Sequence, residues 1–376
     1  FLKDYVLTYF PDLAIILRAF ERPALDANVY QDYAERLIPR AVGYSAGLLD
    51  YFFRGKIQVA SSLPVFYDNG IYSLLLNIKN ITHSQETMSD GHFSVVCRYT
   101  PTGGNPDGSE DIFVRSYEVA SGVLQYGGEG VDVQFNLPVP VPIENYESVE
   151  CILTFRGTLG NESGAVIGKS FTPGQVKFNE EWDNGLEGNH PWTHTTPDQN
   201  PDNGSTSNVV ENGILIKDNI RFIDHDTPRF NSSYLDLVDS DNPNGLLITP
   251  NTYLQFKIDD LSINAQPPAP EGFTNAWQCL VLRFNDGRRL QFTQEGQGLY
   301  WGTSTAYYSF NLGSIIVTDI YTLFQNYGIA IPEPFYLESI RLTQQLGSLA
   351  EPSTVEHCQY MEIDFIRIIE KHEEPE

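Results

Sequence analysis

The chain has 376 residues, which at about 150 residues per domain predicts two or three domains, each able to bury its own core. Its net charge of −26 argues against nucleic acid and against an anionic membrane surface, because both require a cationic face. No run of about 18 apolar residues occurs, so no membrane span is predicted. Only 19% of residues are charged and 12% are aromatic, which favours extensive sheet over disorder.

The first predicted element is a helical segment over residues 1–55. This segment is nearly neutral, so almost all of the excess acid lies in the rest of the chain. Its apolar residues recur at helical spacing, and we expect Pro11, Pro23 and Pro39 to start, break or kink successive helices. Gly55 is expected to end the last helix. The segment is too short to form a stable bundle alone.

A change from helical to alternating spacing at Lys56 marks the start of a second domain, over residues 56–172. Short strand-like runs are separated by turns rich in Gly, Asn and Asp, and they cover residues 57–59, 72–78, 93–99, 112–119, 131–137 and 150–156. About seven short strands at regular spacing predict an immunoglobulin-like β-sandwich. The alternating prolines of residues 137–142 indicate an edge segment.

Residues 173–370 form a third predicted domain, with nine or more candidate strands typical of a jelly-roll β-sandwich. The sequence Asn285-Asp286-Gly287 between two of these strands is a strong hairpin signal. Residues 320–327 are expected to form a short helix. The charged residues 371–376 are expected to form a disordered acidic tail. The overall class is therefore mainly β with a short N-terminal helical segment.

The four cysteines occur without a C-x-x-C pair, so zinc-ribbon, haem and thioredoxin motifs are not expected. Cys97 and Cys151 each share a strand face with apolar residues, which is compatible with a buried disulfide between two sheets and equally with two buried thiols. Cys279 and Cys358 are candidates for a second bridge. The acidic, Lys-poor composition suggests a secreted or cell-surface protein. The first residue is Phe1 and not Met, so we expect a mature or truncated product.

Motifs that could carry catalysis lack the context that catalysis needs. The sequence Gly43-Tyr44-Ser45-Ala46-Gly47 fits the G-x-S-x-G nucleophile elbow, but that motif requires a strand before it, whereas a helix is predicted here. His190 and His194 have the spacing of zinc ligands on a helix, but Pro191 and neighbouring polar residues indicate a loop. We expect no enzymatic activity, no zinc and no nucleotide in this chain.

Oxygen-rich segments raise the possibility of calcium, which binds six to eight oxygen ligands. The sequence Asp198-x-Asn200-x-Asp202-x-Gly204 begins like an EF-type loop, but its glycine falls one place late and its twelfth position is Val209. It is better interpreted as a polar loop. A second acidic group consists of Asp236, Asp239 and Asp241.

Residues 33–55, YAERLIPRAVGYSAGLLDYFFRG, resemble a junction in large secreted bacterial proteins. In those proteins the junction ends a domain similar to zinc-dependent phospholipase C and precedes β-sandwich domains. The zinc ligands of such a domain have no counterpart in this chain. The resemblance therefore implies a neighbouring domain upstream and no activity here.

Residues 178–185, FNEEWDNG, and 360–368, YMEIDFIRI, look like the first and last strands of galactose-binding-like jelly rolls, the fold of many carbohydrate-binding modules. Acidic residues of those two strands often share a structural calcium ion in that family. By resemblance, Glu180 or Glu181 and Asp364 are the matching positions.

A sugar-binding site needs an exposed aromatic ring and nearby polar side chains. Trp192, Tyr300 and Trp301 lie in loop-like, polar contexts. Tyr307 and Tyr308 alternate, so one of them is expected to face outward, and Tyr308 is the candidate taken here. Most other Trp and Tyr residues are expected to fill sandwich cores.

The sequence thus predicts a non-catalytic extracellular module that binds polysaccharide or another glycan and is braced by calcium. One alternative is a filament or surface-layer subunit that assembles with copies of itself. Another is the accessory C-terminal half of a secreted zinc hydrolase.

Overall fold

A computed structural model describes most of the chain, over residues 27–67, 70–83, 85–101, 112–119, 124–182, 186, 190–195, 204–212, 214–221, 229–240, 242–265, 277–294, 306–346 and 357–374. The described chain is mainly β, as predicted, with two α-helices. It divides into two compact units, residues 1–56 with 82–84, and residues 57–81 with 85–376.

Helix α1 spans Ala27–Phe52 without interruption. The break or kink expected at Pro39 does not divide it, and Pro39 lies inside the helix. The predicted helices before residue 27 lie outside the described residues. Within the described part of the chain, no helix combines the length and apolarity needed to cross a membrane.

The first sandwich follows α1 and contains seven strands. They are β1 (Ile57–Tyr67), β2 (Gly70–Asn80), β3 (Met88–Tyr99), β4 (Ile112–Val119), β5 (Val131–Pro142), β6 (Glu150–Leu159) and β7 (Glu162–Phe171). A 3-10 helix, Ile143–Ser148, connects β5 to β6. Sheet 1 has the order β21-β1-β2-β5, where β21 is a two-residue strand, His372–Glu373, from the end of the chain, and sheet 2 has the order β4-β3-β6-β7. Residues 137–142 belong to β5 at the edge of sheet 1, which is where a proline-rich strand is tolerated.

The remaining strands form the second sandwich, apart from β21. They are β8 (Gln175–Glu181), β9 (Thr193–Thr195), β10 (Gly204–Glu211), β11 (Ile214–Arg221), β12 (Arg229–Asp236), β13 (Leu246–Ile248), β14 (Thr252–Ala265), β15 (Trp277–Phe284), β16 (Arg289–Gln294), β17 (Ala306–Phe310), β18 (Ile315–Asp319), β19 (Phe335–Leu346), β20 (His357–Glu370) and β21 (His372–Glu373).

Two sheets face each other across the core of the second sandwich. Sheet 3 has the order β10-β11-β20-β14-β18, with β8 also paired to β20. Sheet 4 has the order β17-β16-β15-β19-β12-β9, with β13 also paired to β19. Alternate residues of each strand point inward, so that Phe256 of sheet 3 meets Phe292 of sheet 4 with ring centroids 5.2 Å apart.

Two local predictions in this sandwich are confirmed. The Asn285-Asp286-Gly287 turn joins β15 to β16 as an antiparallel hairpin, and Gly287 has φ of 84°, which favours glycine. Helix α2, Ile320–Asn326, occupies the position of the predicted short helix. Asp319 caps it, because its Oδ1 accepts hydrogen bonds from the backbone N–H groups of Tyr321 and Thr322.

A buried side-chain amide joins the two sandwiches. Gln255 of β14 lies on the outer face of sheet 3, where its Nε2 donates to the carbonyl of Pro64 at 2.6 Å. Its Oε1 accepts from the backbone N–H of Phe66 at 3.1 Å. Gln255 thus pairs with β1 as a neighbouring strand residue would. Arg367 packs beside this contact, with its guanidinium 5.3 Å from the ring centroid of Phe66.

The end of the chain reinforces the same junction. His372 and Glu373 form β21, which pairs with Ser62 and Ser61 of β1. Residues 371–374 therefore do not form the disordered tail that was expected. The reason is that β20 runs directly into sheet 1, whose edge offers unpaired backbone groups.

We predict that Gln255→Ala lowers the free energy of unfolding by about 2 to 4 kcal/mol. The substitution leaves a buried carbonyl and a buried N–H on β1 without their partner, and each such group costs about 1 to 3 kcal/mol. Urea unfolding measures the change. Gln134→Ala is the control because Gln134 is exposed on β5, and it should alter stability by less than about 0.5 kcal/mol. Equal stability of the two variants would contradict this role of Gln255.

Candidate functional site

The three carboxylates expected to share calcium each have a separate partner. Glu181 pairs with the guanidinium of Arg367. Asp364 pairs with Lys257, whose Nζ lies 2.9 Å from Oδ2. Among the described residues, no group of three or more His, Cys, Asp or Glu side chains is placed to hold a metal. Calcium stays a prediction, and a loss of thermal stability on chelation would be its signature.

Glu180 is fully buried and organises a cluster of aromatic residues. Its Oε2 accepts from the indole N–H of Trp192 at 2.7 Å and contacts Nδ1 of His190 at 2.9 Å. Trp192 is only 7% exposed and lies 6.0 Å from the ring of Trp182. The proposed sugar-binding role of Trp192 is therefore not supported by its position, because its ring is part of the core.

The remaining predicted sugar-binding residues divide between the core and the undescribed part of the chain. Tyr308 is half-buried against the core, with its ring 5.7 Å from Phe292. The adjacent Tyr307 faces outward, so alternation in β17 selects the other tyrosine of the pair. Tyr300 and Trp301 lie outside the described residues, as do Asp198, Asn200, Asp202 and Asp241.

The cysteine positions do not match the expected bridges. Cys97 and Cys151 are direct neighbours on β3 and β6, so they lie in one sheet and cannot link two. Both are buried free thiols, and the hydrogen bond between them, followed by burial, raises the pKa of Cys151. Cys279 is a free thiol on the outer face of sheet 4, whereas Cys358 lies on β20 of sheet 3. Facing sheets are about 10 Å apart, beyond the span of a disulfide.

The G-x-S-x-G sequence lies inside α1. Ser45 is exposed in the middle of a continuous helix, so the strand–turn–helix geometry of a nucleophile elbow is not formed.

Asp236 and Asp239 are the two described residues of the second acidic group considered for calcium. Asp236 ends β12, and Asp239 accepts the backbone N–H of Asn242 at 2.7 Å within a turn.

Lys217 is a buried lysine at the centre of a polar cluster that no sequence motif indicates. Lys217 of β11 is fully buried, and its Nζ donates to Asn208 at 2.7 Å and to Asn231 at 3.2 Å. It also donates to the hydroxyl of Ser233. Three acceptors match the three N–H groups of an ammonium. Strand alternation does predict its burial, because Lys217 is two residues from the buried Leu215 and therefore lies on the same face of the strand.

The cluster continues to His194 with a defined order of donors. Nε2 of His194 lies 2.9 Å from the carbonyl of Leu186 and must donate to it. Nδ1 of the neutral ring then accepts the hydroxyl proton of Ser233, at 2.7 Å. Burial, followed by the charge of Lys217, lowers the pKa of His194. Ser233 is fully buried between the sheets, so this arrangement stabilises the fold and offers its hydroxyl to no substrate.

The outer face of sheet 4 presents a second set of side chains, some buried and some partly exposed. Residues that alternate with the core point away from sheet 3, and strand register aligns them in rows. One row runs across five strands through Tyr234, Arg341, Val281, Gln291 and Tyr307. With strands about 4.8 Å apart, its two tyrosines are about 19 Å from each other. The row therefore has a partly exposed aromatic ring at each end, with Arg341 partly exposed and Val281 and Gln291 buried between them.

The neighbouring rows on this face differ in exposure. On one side lie Cys279, Thr293 and Thr343, all buried. The hydroxyl of Thr293 has no hydrogen-bond partner in the described part of the structure. On the other side lie Arg283 and Arg289, and the side chain of Arg283 is 52% exposed. The outer face of sheet 4 is therefore buried on one side of the row and cationic on the other, where Arg283 is exposed.

Two clefts at the junction of the sandwiches are alternative sites. Their volumes are about 820 and 1080 Å³. Some of their charged side chains are paired within the chain, as in Lys371 with Glu373 at 3.0 Å and Glu374 with Lys169 at 2.9 Å. The outer face of sheet 4 differs from these clefts in having partly exposed aromatic side chains, Tyr234 and Tyr307, at both ends of one row.

Comparisons with known proteins do not assign a family. No protein-family model and no curated protein matches this chain. One solved structure, of the Gx strain of infectious bursal disease virus, aligns at 7% identity over 85% of this chain and 76% of that chain. Its TM-score of 0.15 is too low to support an argument about fold or function.

We predict that Lys217 makes the second sandwich more stable as pH rises above neutrality. Burial lowers the pKa of its ammonium to about 7. Between about pH 7 and 10 the unfolded chain retains a proton that the folded chain has released, so the free energy of unfolding rises with pH, by up to about 1.4 kcal/mol per unit. Below pH 7 both states are protonated and this contribution is constant.

Urea unfolding at several values between pH 7 and about 9 measures this slope. Lys217→Met should be less stable throughout and should lose the slope. Lys177→Met is the matched control, because Lys177 is exposed on β8. A slope that survives in Lys217→Met would assign the effect to another group.

Proposed function

We propose that this chain is a non-catalytic, extracellular binding module whose second sandwich binds a polysaccharide on the outer face of sheet 4. The observation that carries this proposal is the row from Tyr234 to Tyr307. A sugar ring stacks on an aromatic face while polar side chains bond its hydroxyl groups. Here the partly exposed guanidinium of Arg341 lies 5.7 Å from the ring centroid of Tyr234, and the row extends over five strands to Tyr307.

The strand orders support the finer fold assignment behind this proposal. In the first sandwich the first, second and fifth strands face the third, fourth, sixth and seventh, an arrangement consistent with an immunoglobulin-like domain. In the second sandwich two sheets of mainly antiparallel strands enclose one core, which is consistent with a jelly roll. We propose the first as a spacer and the second as the ligand-binding domain.

Recognition in this proposal uses a preformed surface and no covalent step. Sheet 4 is anchored by its core residues, so its outward side chains are held on a rigid scaffold. The opposite sheet is less suited to the task, because part of its outer face packs against the first sandwich through Gln255 and Arg367. An accessory role beside a catalytic domain in a longer protein is compatible with the same surface.

We predict that Tyr234→Ala and Tyr307→Ala each weaken polysaccharide binding by about tenfold. Each substitution removes one aromatic platform at an end of the row. A glycan array identifies the ligand, and isothermal titration measures the affinities. Tyr72→Ala is the control because Tyr72 is 43% exposed on the first sandwich, and binding should be unchanged. If Tyr72→Ala were as damaging as the other two, the site would not be on sheet 4.

Self-assembly is a second candidate function, favoured by the surface of α1. Large apolar side chains on this helix are exposed, including Leu37, Ile38, Val42, Leu48 and Leu49. Exposed apolar surface of this extent is typical of interaction sites, and here the partner would be a second copy of the chain. Light scattering should then show association that grows with concentration and is lost in Leu48→Glu/Leu49→Glu. A monomer at all concentrations would exclude this alternative.

A further inference from the structure

The side chain of Lys217 ends between two side-chain amides. Its Nζ lies 2.7 Å from Oδ1 of Asn208, its cross-strand partner on β10, and 3.2 Å from Oδ1 of Asn231. Asn231 is fully buried on β12 of the facing sheet. Because a C=O bond is about 1.2 Å long, Nζ is at most about 4.4 Å from the carbonyl carbon of Asn231. Bonds form from separations of about 3 to 3.5 Å, so a small approach is sufficient.

The amide of Asn231 is held in one orientation. Its Nδ2 donates to the backbone carbonyl of Ser207 at 3.1 Å and to that of Asp218 at 2.9 Å. These two bonds use both N–H groups of the amide and keep its carbonyl directed at Nζ of Lys217. Lys217 and Asn231 are both fully buried, so the carbonyl meets an amine and is shielded from water.

Loss of one proton would make Lys217 a nucleophile directed at Asn231. As an ammonium, Lys217 donates one N–H to each of its three acceptors, and the contact with Asn231 is the longest of the three. The neutral amine has two N–H groups and a lone pair, so the longest contact is the one expected to lose its N–H. Burial lowers the pKa of Lys217 to about 7, so the neutral amine is well populated in mildly alkaline solution.

Ser233 and His194 form a path for the proton that the amine must release. The hydroxyl of Ser233 accepts from Nζ of Lys217 and donates to Nδ1 of His194, which lies 2.7 Å away. Nε2 of His194 is bonded to the carbonyl of Leu186, which keeps Nδ1 as the acceptor. Ser233 can therefore take a proton from the amine as it passes its own proton to the imidazole.

We propose that Lys217 and Asn231 react with each other to form an amide bond that joins sheet 3 covalently to sheet 4. Nζ of Lys217 attacks Cγ of Asn231, a new C–N bond forms, and the bond from Cγ to Nδ2 breaks. One proton leaves Nζ through Ser233, Nδ2 takes up one proton, and ammonia is released. The reaction needs no oxidant or reductant, because no atom changes its oxidation state.

We expect this bond to form slowly in the folded protein. An amide is a poor electrophile, and among the described residues no carboxyl group contacts Asn231 to polarise it. The dependence of stability on pH that was derived for Lys217 belongs to the chain before this reaction. An amide nitrogen does not titrate in this range, so the cross-linked chain should lack that dependence.

Intact-mass spectrometry of the unaltered chain is the test. The purified chain is incubated for a week at about pH 8, where most of the Lys217 amine is neutral. Its mass should fall by the mass of one ammonia molecule. A succinimide at an Asn-Gly sequence would release the same ammonia, so the position of the bond must also be mapped.

A tryptic digest locates the bond. Trypsin should not cleave after Lys217 once its amine is part of an amide. Peptide 178–221 should then be found joined to peptide 230–257, which contains Asn231. A bond to Asn208 instead would lie within peptide 178–221.

Variants and pH separate this reaction from other losses of ammonia. Asn231→Ala should keep its full mass, and Ser233→Ala should react at least about tenfold more slowly because the proton path is interrupted. Ser232→Ala is the matched control, since the neighbouring hydroxyl of Ser232 contacts Thr343 instead, and it should react at the unaltered rate. Below about pH 7 the rate should rise about tenfold per pH unit, as the neutral amine becomes more abundant.

The unaltered chain alone can contradict the proposal, even if a variant fails to fold. An unchanged mass after the incubation would overturn it. A loss of ammonia without the joined peptides, or a bond between Lys217 and Asn208, would overturn it as well.

Discussion

The amide of Gln255 determines which surfaces of the second sandwich remain available. By pairing with the backbone of β1, it brings the first sandwich against the outer face of sheet 3. Arg367 and strand β21 hold the same junction. Because one sheet is committed to this contact, our proposal places the ligand on the outer face of the other sheet.

The interior of the second sandwich contains buried ionisable side chains in addition to its apolar core. Lys217 and Glu180 are both fully buried, and each is surrounded by hydrogen-bonding partners. A buried ionisable group is tolerated only when it is paired or changes its protonation state. Lys217 combines three acceptors with a lowered pKa, and Glu180 accepts an indole N–H. Both clusters are thus satisfied by hydrogen bonds within the interior of the sandwich.

Alternation of apolar residues was sufficient to predict strands such as β3 and β6, but it missed β7. The Asn285-Asp286-Gly287 turn predicted the hairpin after Phe284, and the prolines of residues 137–142 predicted the edge position of β5. Alternation could not identify which side chains would meet across sheets, because that depends on register between distant strands. Trp192 was expected in a loop, but the buried carboxylate of Glu180 draws its indole into the core. Arg341 is distant in sequence from Arg283 and Arg289 and becomes their neighbour only through the pairing of β15 with β19. Alternation correctly required one of Tyr307 and Tyr308 to face outward, but Tyr308 was taken as the candidate and Tyr307 is the outward residue.

Hydrogen–deuterium exchange with and without the polysaccharide that the glycan array identifies tests the central proposal that sheet 4 is the binding face. The account predicts slower exchange in β12, β15, β16 and β19 when ligand is bound, with β14, β20 and the first sandwich unchanged. Protection confined to sheet 3, to the first sandwich or to the junction between them would contradict it.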